Sequence, residues 1–457
     1  MTVESVNPAT EEILASFDEH SERQIDEVLD RARDAFRAWR ERSFAERSAL
    51  MHEAAGVLRR DADRLALLIT LEMGKPLAQS RAEVEKCAWC CDYFADNAPK
   101  FLADIVSPSS ATESYVAFDP LGVVLAIMPW NFPFWQVFRF AAPSLMAGNV
   151  GVLKHASNVP QCSLAIEDVF RQAGFPGGAF QSLLVPGSTA QGLIADDRIA
   201  AVTLTGSEEA GSRVAEAAGR ALKPAVLELG GSDPYVVLDD ADVEAAARVA
   251  IDARFQNTGQ SCIAAKRFIV TPGVAGEFEE RFLAGINALT IGDPADEGVR
   301  IGPLAKNDLV DTLENQVRAS TSRGARVLTG GHRLERKGYF YAPTLIAGVE
   351  PGMEVFSEET FGPAAALIRA TDADEAIALA NNSRFGLGAN LWTRDIDRGK
   401  KLARRIESGS VFINGMVASD PRLPFGGVKH SGFGRELSEF GIREFVNIKT
   451  VWIGPAR

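Results

Sequence analysis

The chain has 457 residues, 46% of them hydrophobic, 24% charged and 8% aromatic. That mixture excludes a disordered, collagen-like or coiled-coil protein, and at roughly 150 residues per domain it leaves room for two large domains or three smaller ones. The net charge of −13 lacks the basic stripe that nucleic-acid binding demands and reads as solvated carboxylate that favours solubility.

The opening segment MTVESVNPATEEILASFDEH has no basic n-region and no apolar h-region, so no signal peptide is expected. The longest apolar stretches, such as 121–129, fall far below the ~20 residues of a membrane span. A soluble, cytoplasmic protein with no membrane partner is the expectation. The first hundred residues read as helical. From Ser21 to Trp39, apolar residues at Ile25, Val28, Leu29, Ala32, Ala35 and Phe36 form a 3.6-residue stripe behind a Ser cap. Segments 45–71 and 80–97 look similar. Cys87, Cys90 and Cys91 lie in the last of these. No second CxxC or HxxxH accompanies them, so packing thiols are expected rather than a zinc site. The five histidines are scattered, and no metal is expected.

Two strand-like runs follow, 114–118 and 123–127. They are joined by Asp119-Pro120-Leu121-Gly122, whose Pro and Gly predict a hairpin. From Val123 onward strand and helix alternate. Strand candidates are 123–127, 150–154, 182–186, 201–205 and 225–229, then 235–238, 268–270, 326–330, 365–368 and 411–414. The pattern predicts an α/β protein with two doubly wound domains, ligands at the carboxyl ends of the strands, and an active site between the domains. The final run EFVNIKTVWI (444–453) reads as an exposed apolar strand that a second subunit would cover.

Four segments could carry chemistry. In Thr258-Gly259-Gln260-Ser261-Cys262, a loop entering a helix would lower the thiol pKa, and Lys266 and Arg267 follow; an inert core cysteine is the alternative. In Leu227-Glu228-Leu229-Gly230-Gly231, a carboxylate at the end of an apolar strand suits a general base; a glutamate paired with a buried base is the alternative. In Pro129-Trp130-Asn131-Phe132-Pro133, Asn131 is either a helix cap or an oxyanion donor. Asn131, Trp135 and Arg139 are spaced along one helix face, with Pro133 in the first turn. Arg139 sits in an apolar stretch and needs an anionic partner, either structural or from a substrate. The turn Thr205-Gly206-Ser207, opening a helix, can hold a pyrophosphate. Ser212-Arg213 stand where a P-loop needs Lys-Ser/Thr, which disfavours nucleotide hydrolysis.

Taken together, PWNFPFW (129–135), LKHASNVP (153–160), TGS (205–207), LELGGSDP (227–234), FQNTGQSCIAAKR (255–267), EETFGP (358–363) and PFGGVKHSGFGRE (424–436) resemble the aldehyde dehydrogenase superfamily, in order and across essentially the whole chain. The resemblance implies a Rossmann-like cofactor domain (1–113 and 128–230) and a catalytic domain (231–425). It also implies a small β oligomerisation flap (114–127 and 440–457) that builds a homodimer or homotetramer. Cys262 would be the nucleophile, Asn131 and the Cys262 backbone N–H the oxyanion donors, and Glu228 the base that activates water. Trp130, Asn131, Lys154, His155, Ala156, Ser157, Gly206, Ser207, Leu229, Glu359 and Phe361 would bind the cofactor.

NAD-preferring relatives often carry a glutamate three residues after the lysine. Ser157 stands there, which predicts NADP as the preferred cofactor and NAD as the second. The run 130–161 together with FINGMVASDPRLPFGG is similar to the short bacterial succinate-semialdehyde dehydrogenases. That implies Trp135, Arg139, Ser419 and Phe425 as substrate-binding residues, with Arg139 pairing with the substrate carboxylate. Gln256 replaces a second arginine of that group, and Ala264 replaces a second cysteine, so that redox disulfide cannot form. Other aliphatic or aromatic aldehydes are the alternative substrates. A non-catalytic structural protein is the alternative class, disfavoured because Cys262 and Glu228 are both present.

Overall fold

A computed structural model of the chain describes residues 2–455; Met1, Ala456 and Arg457, the last two within the expected 440–457 segment, lie outside the described residues. The short apolar runs bounded by Gly and Pro become two separate sheets. The first has six strands, in the order Gly432–Phe433, Ala225–Glu228, Ile199–Thr205, Val123–Met128, Val150–His155 and Phe180–Ser182. All neighbours are parallel except the two-residue edge strand 432–433. Helices cover both faces, which is why these strands are apolar throughout rather than alternating. Chain order reverses direction between Val123–Met128 and Ile199–Thr205. A doubly wound sheet opens its ligand crevice at the carboxyl ends of such a pair. Here that crevice lies between Pro129-Trp130-Asn131 and Gly206-Ser207.

The second sheet has seven strands, in the order Arg326–Thr329, Thr344–Ala347, Ala364–Arg369, Ala265–Val270, Asp233–Val237, Gly388–Trp392 and Ser410–Ile413. Only the first pair is antiparallel. Side chains alternate between its two faces, as a strand period of two requires. Tyr235, Val237, Phe268 and Val270 pack into one apolar cluster, and Val236, Leu238 and Ile269 into another. The strands 344–347 and 388–392 complete the sheet beyond those expected from sequence.

Four residues, Leu229 to Ser232, join the last central strand of the first sheet to the first strand of the second. The carboxyl edge of one sheet therefore abuts the amino edge of the other. This corrects one expectation. In the second sheet the functional loop enters at the amino end of a strand, because Cys262 immediately precedes Ala265–Val270.

The expected hairpin over 114–127 does not form. Glu113–Pro120 pairs antiparallel with Val446–Ile453 along its whole length and with Ile105–Val106. Val123–Met128 leaves for the centre of the first sheet. Gly122 lies at φ +146° beside the Ala200 side chain, and it redirects the chain rather than closing a ribbon. The three-stranded sheet leaves Val106 (75% exposed), Ile448 (63%) and Trp452 (55%) bare on its surface.

The N-terminal helices follow their caps. Ser21 and Gln24 form a capping box for Glu22–Trp39, as do Ser43 and Glu46 for Phe44–Arg60. The 45–71 stretch is two helices, divided at Asp61. Ahead of them a two-stranded ribbon, Thr2–Asn7 with Glu12–Asp18, stands where only helix was expected. The long helix Leu77–Phe101 crosses behind the interface of the two sheets and buries Cys87, Cys90 and Cys91 as free thiols.

Candidate active site

Several loops converge where the two sheet edges meet. The first carries Trp130 and Asn131. Asn131 does not cap the following helix, which starts at Trp135 behind Phe134, and Pro133 lies ahead of it. The capping group comes from elsewhere: Glu83 Oε1 accepts from the Phe134 (2.9 Å) and Trp135 (3.0 Å) amides, donors that a helix start leaves free. Asn131 Nδ2 instead donates to the Gln260 carbonyl at 3.2 Å, and the Asn131 carbonyl accepts from Asn257 Nδ2 at 2.7 Å. A carboxamide has two N–H donors, so one remains for a ligand.

The second loop holds three consecutive left-handed residues, Asn257 (φ 54°), Thr258 (φ 54°) and Gly259 (φ 74°). A Cβ at Gly259 would stand 2.2 Å from the Gly362 carbonyl oxygen. The non-glycine pair costs about 1–3 kcal/mol per residue, a strain that persists only where surroundings over-determine it. Gln79 Oε1 accepts from the Asn257 amide at 2.7 Å, and Gln260 Oε1 accepts from the Ala305 amide at 2.9 Å.

Cys262 follows in a turn that leads into a strand, not a helix. Lys266 Nζ closes that turn by donating to the carbonyls of Ser261 (3.0 Å), Cys262 (2.8 Å) and Ala264 (3.1 Å). Arg267 points away, to the carbonyls of Ser232, Leu379 and Ala380. The expectation of a thiol activated by a helix N-terminus is therefore corrected. Burial pushes the Cys262 thiol up to about 12, with Arg139 the main opposing influence.

Two clefts meet at Cys262. One, of about 710 Å³, is bordered by Trp135, Arg139, Gln256, Ser419 and Phe425. The other, of about 680 Å³, is bordered by Trp130, Asn131, Gly206, Leu229, Glu359 and Phe361. Gln136 and Cys262 belong to both. The second cleft continues past Ser207, Gly230 and Glu359 into an open groove beside Arg213 and Arg384. Phe361 stands edge-on to Trp130 with ring centroids 5.6 Å apart. Glu359 Oε1 accepts from the Gly231 amide at 2.9 Å, and burial raises its pKa. Ser207 caps the helix Glu208–Arg220, accepting from the Ala210 amide.

Lys154 and His155 end the neighbouring strand, and Ala156 and the exposed Ser157 lie in the turn after it. Burial and the nearby Lys306 lower the Lys154 pKa. His155 turns inward. Its Nε2 lies 2.8 Å from the Pro133 carbonyl and its Nδ1 accepts from the Ala156 amide at 2.9 Å. Burial drops its pKa to about 4. The ring is a neutral brace for the Asn131 loop, so of the expected cofactor residues His155 directs its side chain elsewhere.

Glu228 borders neither cleft. It is 2% exposed, both carboxylate oxygens lack a protein partner, and burial together with Glu436 raises its pKa far above the carboxylate range. Arg139 is also sealed, at 1% exposure. It forms an ion pair with Glu436, its Nη2 donates to Thr205 Oγ1 at 3.3 Å, and its guanidinium lies 4.3 Å over the Phe425 ring. Arg139 thus already has a structural anion in Glu436, while it also borders the first cleft. Ser419 and Phe425 do face the first cleft, from the 416–425 loop.

A family model described as the aldehyde dehydrogenase family matches residues 1–451. The chain belongs to the aldehyde dehydrogenase family. It is 53% identical to a probable succinate-semialdehyde dehydrogenase [NADP(+)] of Synechocystis sp., over 99% of this chain and 100% of that one. It is 49% identical to succinate-semialdehyde dehydrogenase [NADP(+)] 1 of Mycobacterium tuberculosis, at the same coverage. Among solved structures it superposes on succinic semialdehyde dehydrogenase from Streptococcus pyogenes in complex with NADP+, with TM-score 0.97 and 37% identity, over 99% of this chain and 100% of that one.

This dehydrogenase site also depends on residues that sequence reasoning passed over. Gln79, Glu83 and Lys86 share one face of the helix Leu77–Phe101. Gln79 holds the cysteine loop and Glu83 holds the Asn131 loop. A buried ion pair with Lys75 fixes Glu83 in turn. Lys86 borders the first cleft; burial and Arg139 bring its amine down to about 8. The spacing of these polar residues along an otherwise apolar helix face was the available signal. Among the described residues no group of three or more His, Cys, Asp or Glu could hold a metal, and no helix is long and apolar enough to cross a membrane.

Proposed function

We propose that this aldehyde dehydrogenase oxidises succinate semialdehyde to succinate with NADP as preferred cofactor. The meeting of two clefts at one cysteine carries the reading. One cleft delivers a carbonyl to Cys262 and the other delivers a hydride acceptor to the same point. The names of the full-length relatives support the choice of aldehyde and dinucleotide.

The chemistry divides among this chain's residues. The Cys262 thiol gives its proton to water in the cleft, the sulfur bonds to the aldehyde carbon, and the C=O π bond breaks to leave an oxyanion. The free N–H of Asn131 and the Cys262 backbone N–H stabilise that oxyanion as it forms. With a dinucleotide held by Trp130, Leu229, Glu359 and Phe361, collapse of the oxyanion would pass the hydride of the same carbon to it and leave Cys262 as a thioester. The bound dinucleotide supplies the two-electron acceptor. Glu228, sealed from both clefts in this structure, must turn toward Cys262 and ionise before it removes a proton from water; the hydroxyl then adds to the thioester carbon, and the C–S bond breaks to give the acid and the thiol. A carboxylate whose pKa is lifted by burial is suited to that proton transfer.

The second cleft and its groove fit a dinucleotide. Trp130, Phe361 and Leu229 give apolar walls, Glu359 offers a carboxylate for ribose hydroxyls, and Lys154 lies at the strand end. Ser157 is exposed in the adjoining turn, with a hydroxyl to donate to a 2′-phosphate and no charge to repel it. Assays of both dinucleotides against a panel of aldehydes test the reading. Succinate semialdehyde with NADP is expected to give the highest kcat/KM, and a preference for uncharged aldehydes would overturn it.

We further infer that the strand Val446–Ile453, an open edge carrying bare Ile448 and Trp452, pairs with a second copy of the chain. Unpaired apolar edges invite such association. Light scattering is expected to report a dimer or tetramer, and a monomer at micromolar concentration would refute this.

A further inference from the structure

Lys266 is wholly buried, and all three of its N–H donors are engaged on one turn, at the carbonyls of Ser261, Cys262 and Ala264. Among the described residues its one carboxylate within ion-pairing distance is Glu359, 3.9 Å away on the border of the cofactor cleft. Burying an ammonium is costly even when it is paired and hydrogen-bonded, and a neutral donor could close a turn without that cost.

The Ser261 carbonyl gives the charge a use. That carbonyl and the Cys262 amide are the two ends of one planar, conjugated peptide group. A cation on the oxygen draws electron density through the group and leaves the N–H a stronger donor, since hydrogen bonds that share a group reinforce one another. Because the group is planar, fixing its oxygen also fixes the direction of its N–H. No backbone carbonyl accepts from the Cys262 amide among the described residues, and Ser261 and Cys262 both border the first cleft.

We propose that Lys266 is a positioning residue for the oxyanion. It holds and polarises the 261–262 peptide, whose N–H meets the charge that develops on the aldehyde oxygen. This role rests on the reading that Cys262 attacks an aldehyde with its own amide as an oxyanion donor.

Two reactions of the same sulfur separate this role from packing. Attack on an aldehyde creates an oxyanion, whereas alkylation by iodoacetamide displaces iodide and creates none. The other four cysteines are buried, so alkylation reports on Cys262. Both reactions need the thiolate, so the ratio of their rates cancels any change in thiol ionisation. With saturating NADP in both assays, Lys266→Met is expected to slow the burst of reduced dinucleotide about 10- to 100-fold relative to alkylation. That is less than the roughly 10²–10³ for outright loss of an oxyanion donor. Lys266→Arg, which returns a cation to the turn, is expected to restore most of the ratio. Lys266→Gln, which keeps N–H donors without the charge, is expected to fall between them and carries the test should Lys266→Met not fold. An unchanged ratio, with both rates falling together, would overturn the proposal and leave Lys266 a brace for the sulfur. The wild-type enzyme separates the two readings. Without a burst that prior alkylation abolishes, the proposed function fails, whereas a normal burst with an unmoved ratio in the variants sinks only the role of Lys266.

Discussion

Arg139 and Glu436 form an ion pair inside the wall of the substrate cleft, at 1% and 5% exposure. Removing one member strands the other charge in a low-dielectric interior, which costs about 3–5 kcal/mol. Arg139→Met is therefore expected to lower the melting temperature and to depress kcat/KM on charged and uncharged aldehydes alike. The double variant Arg139→Met with Glu436→Leu is expected to recover stability. A loss confined to succinate semialdehyde, with an unchanged melting temperature, would contradict this.

Asn131 has one amide N–H committed to Gln260 and a second with no protein acceptor, and it borders the same cleft as Cys262. Asn131→Ala is expected to lower kcat by roughly 10²–10³, with a small change in KM, because the donor acts on charge that develops only as the bond forms. Steady-state kinetics check it; a change confined to KM would assign Asn131 to ground-state binding.

Burial holds the Cys262 thiol at about 12, and the thiolate is the species that reacts. Below that value each pH unit raises the thiolate fraction about tenfold. Alkylation of the cofactor-free enzyme by iodoacetamide is expected to accelerate about tenfold per unit from pH 7 to 9. A plateau near pH 8 would mean that the thiol is already ionised in the resting enzyme.

How far the sequence alone reaches is visible in particular residues. Apolar runs bounded by Gly or Pro located the central strands, because a sheet covered on both faces leaves no other pattern. The run 114–118 misleads for a physical reason. Pro120 and Gly122 carry local turn chemistry, but the true partner, 446–453, lies more than three hundred residues away. Cys262 was found while its setting was not. Gly259-Gln260-Ser261 looks like a helix lead-in, whereas Lys266 gathers three carbonyls and bends the chain into a strand. Arg139 was marked as needing an anion, and only packing could reveal that Glu436 supplies it. Lys86 drew no attention because a lone lysine on a helix is usually solvated.

Glu228→Gln separates the two halves of the reaction. Its carboxylate has no protein hydrogen-bond partner, so the neutral amide is expected to leave the fold intact. Stopped-flow assays are expected to show a burst of reduced dinucleotide close to one per active site, followed by turnover slowed at least 10²-fold, the lower range for a positioned base. Loss of the burst itself would move Glu228 into the first half-reaction.

Ser157→Glu places a charge in the turn next to Lys154. Like charges repel a 2′-phosphate, while a carboxylate accepts from ribose hydroxyls. The ratio of kcat/KM for NAD over NADP is expected to rise by at least tenfold, about 1.4 kcal/mol. An unmoved ratio would place cofactor choice elsewhere, with Lys306 the next residue to vary.

The helix face of Gln79, Glu83 and Lys86 lies along one rod. Two turns of it clamp the loops that perform bond making, and the following turn borders the first cleft. Loss of Gln79 or Glu83 would loosen the cysteine and Asn131 loops together with the rod that holds both, so the damage would fall on every aldehyde at once.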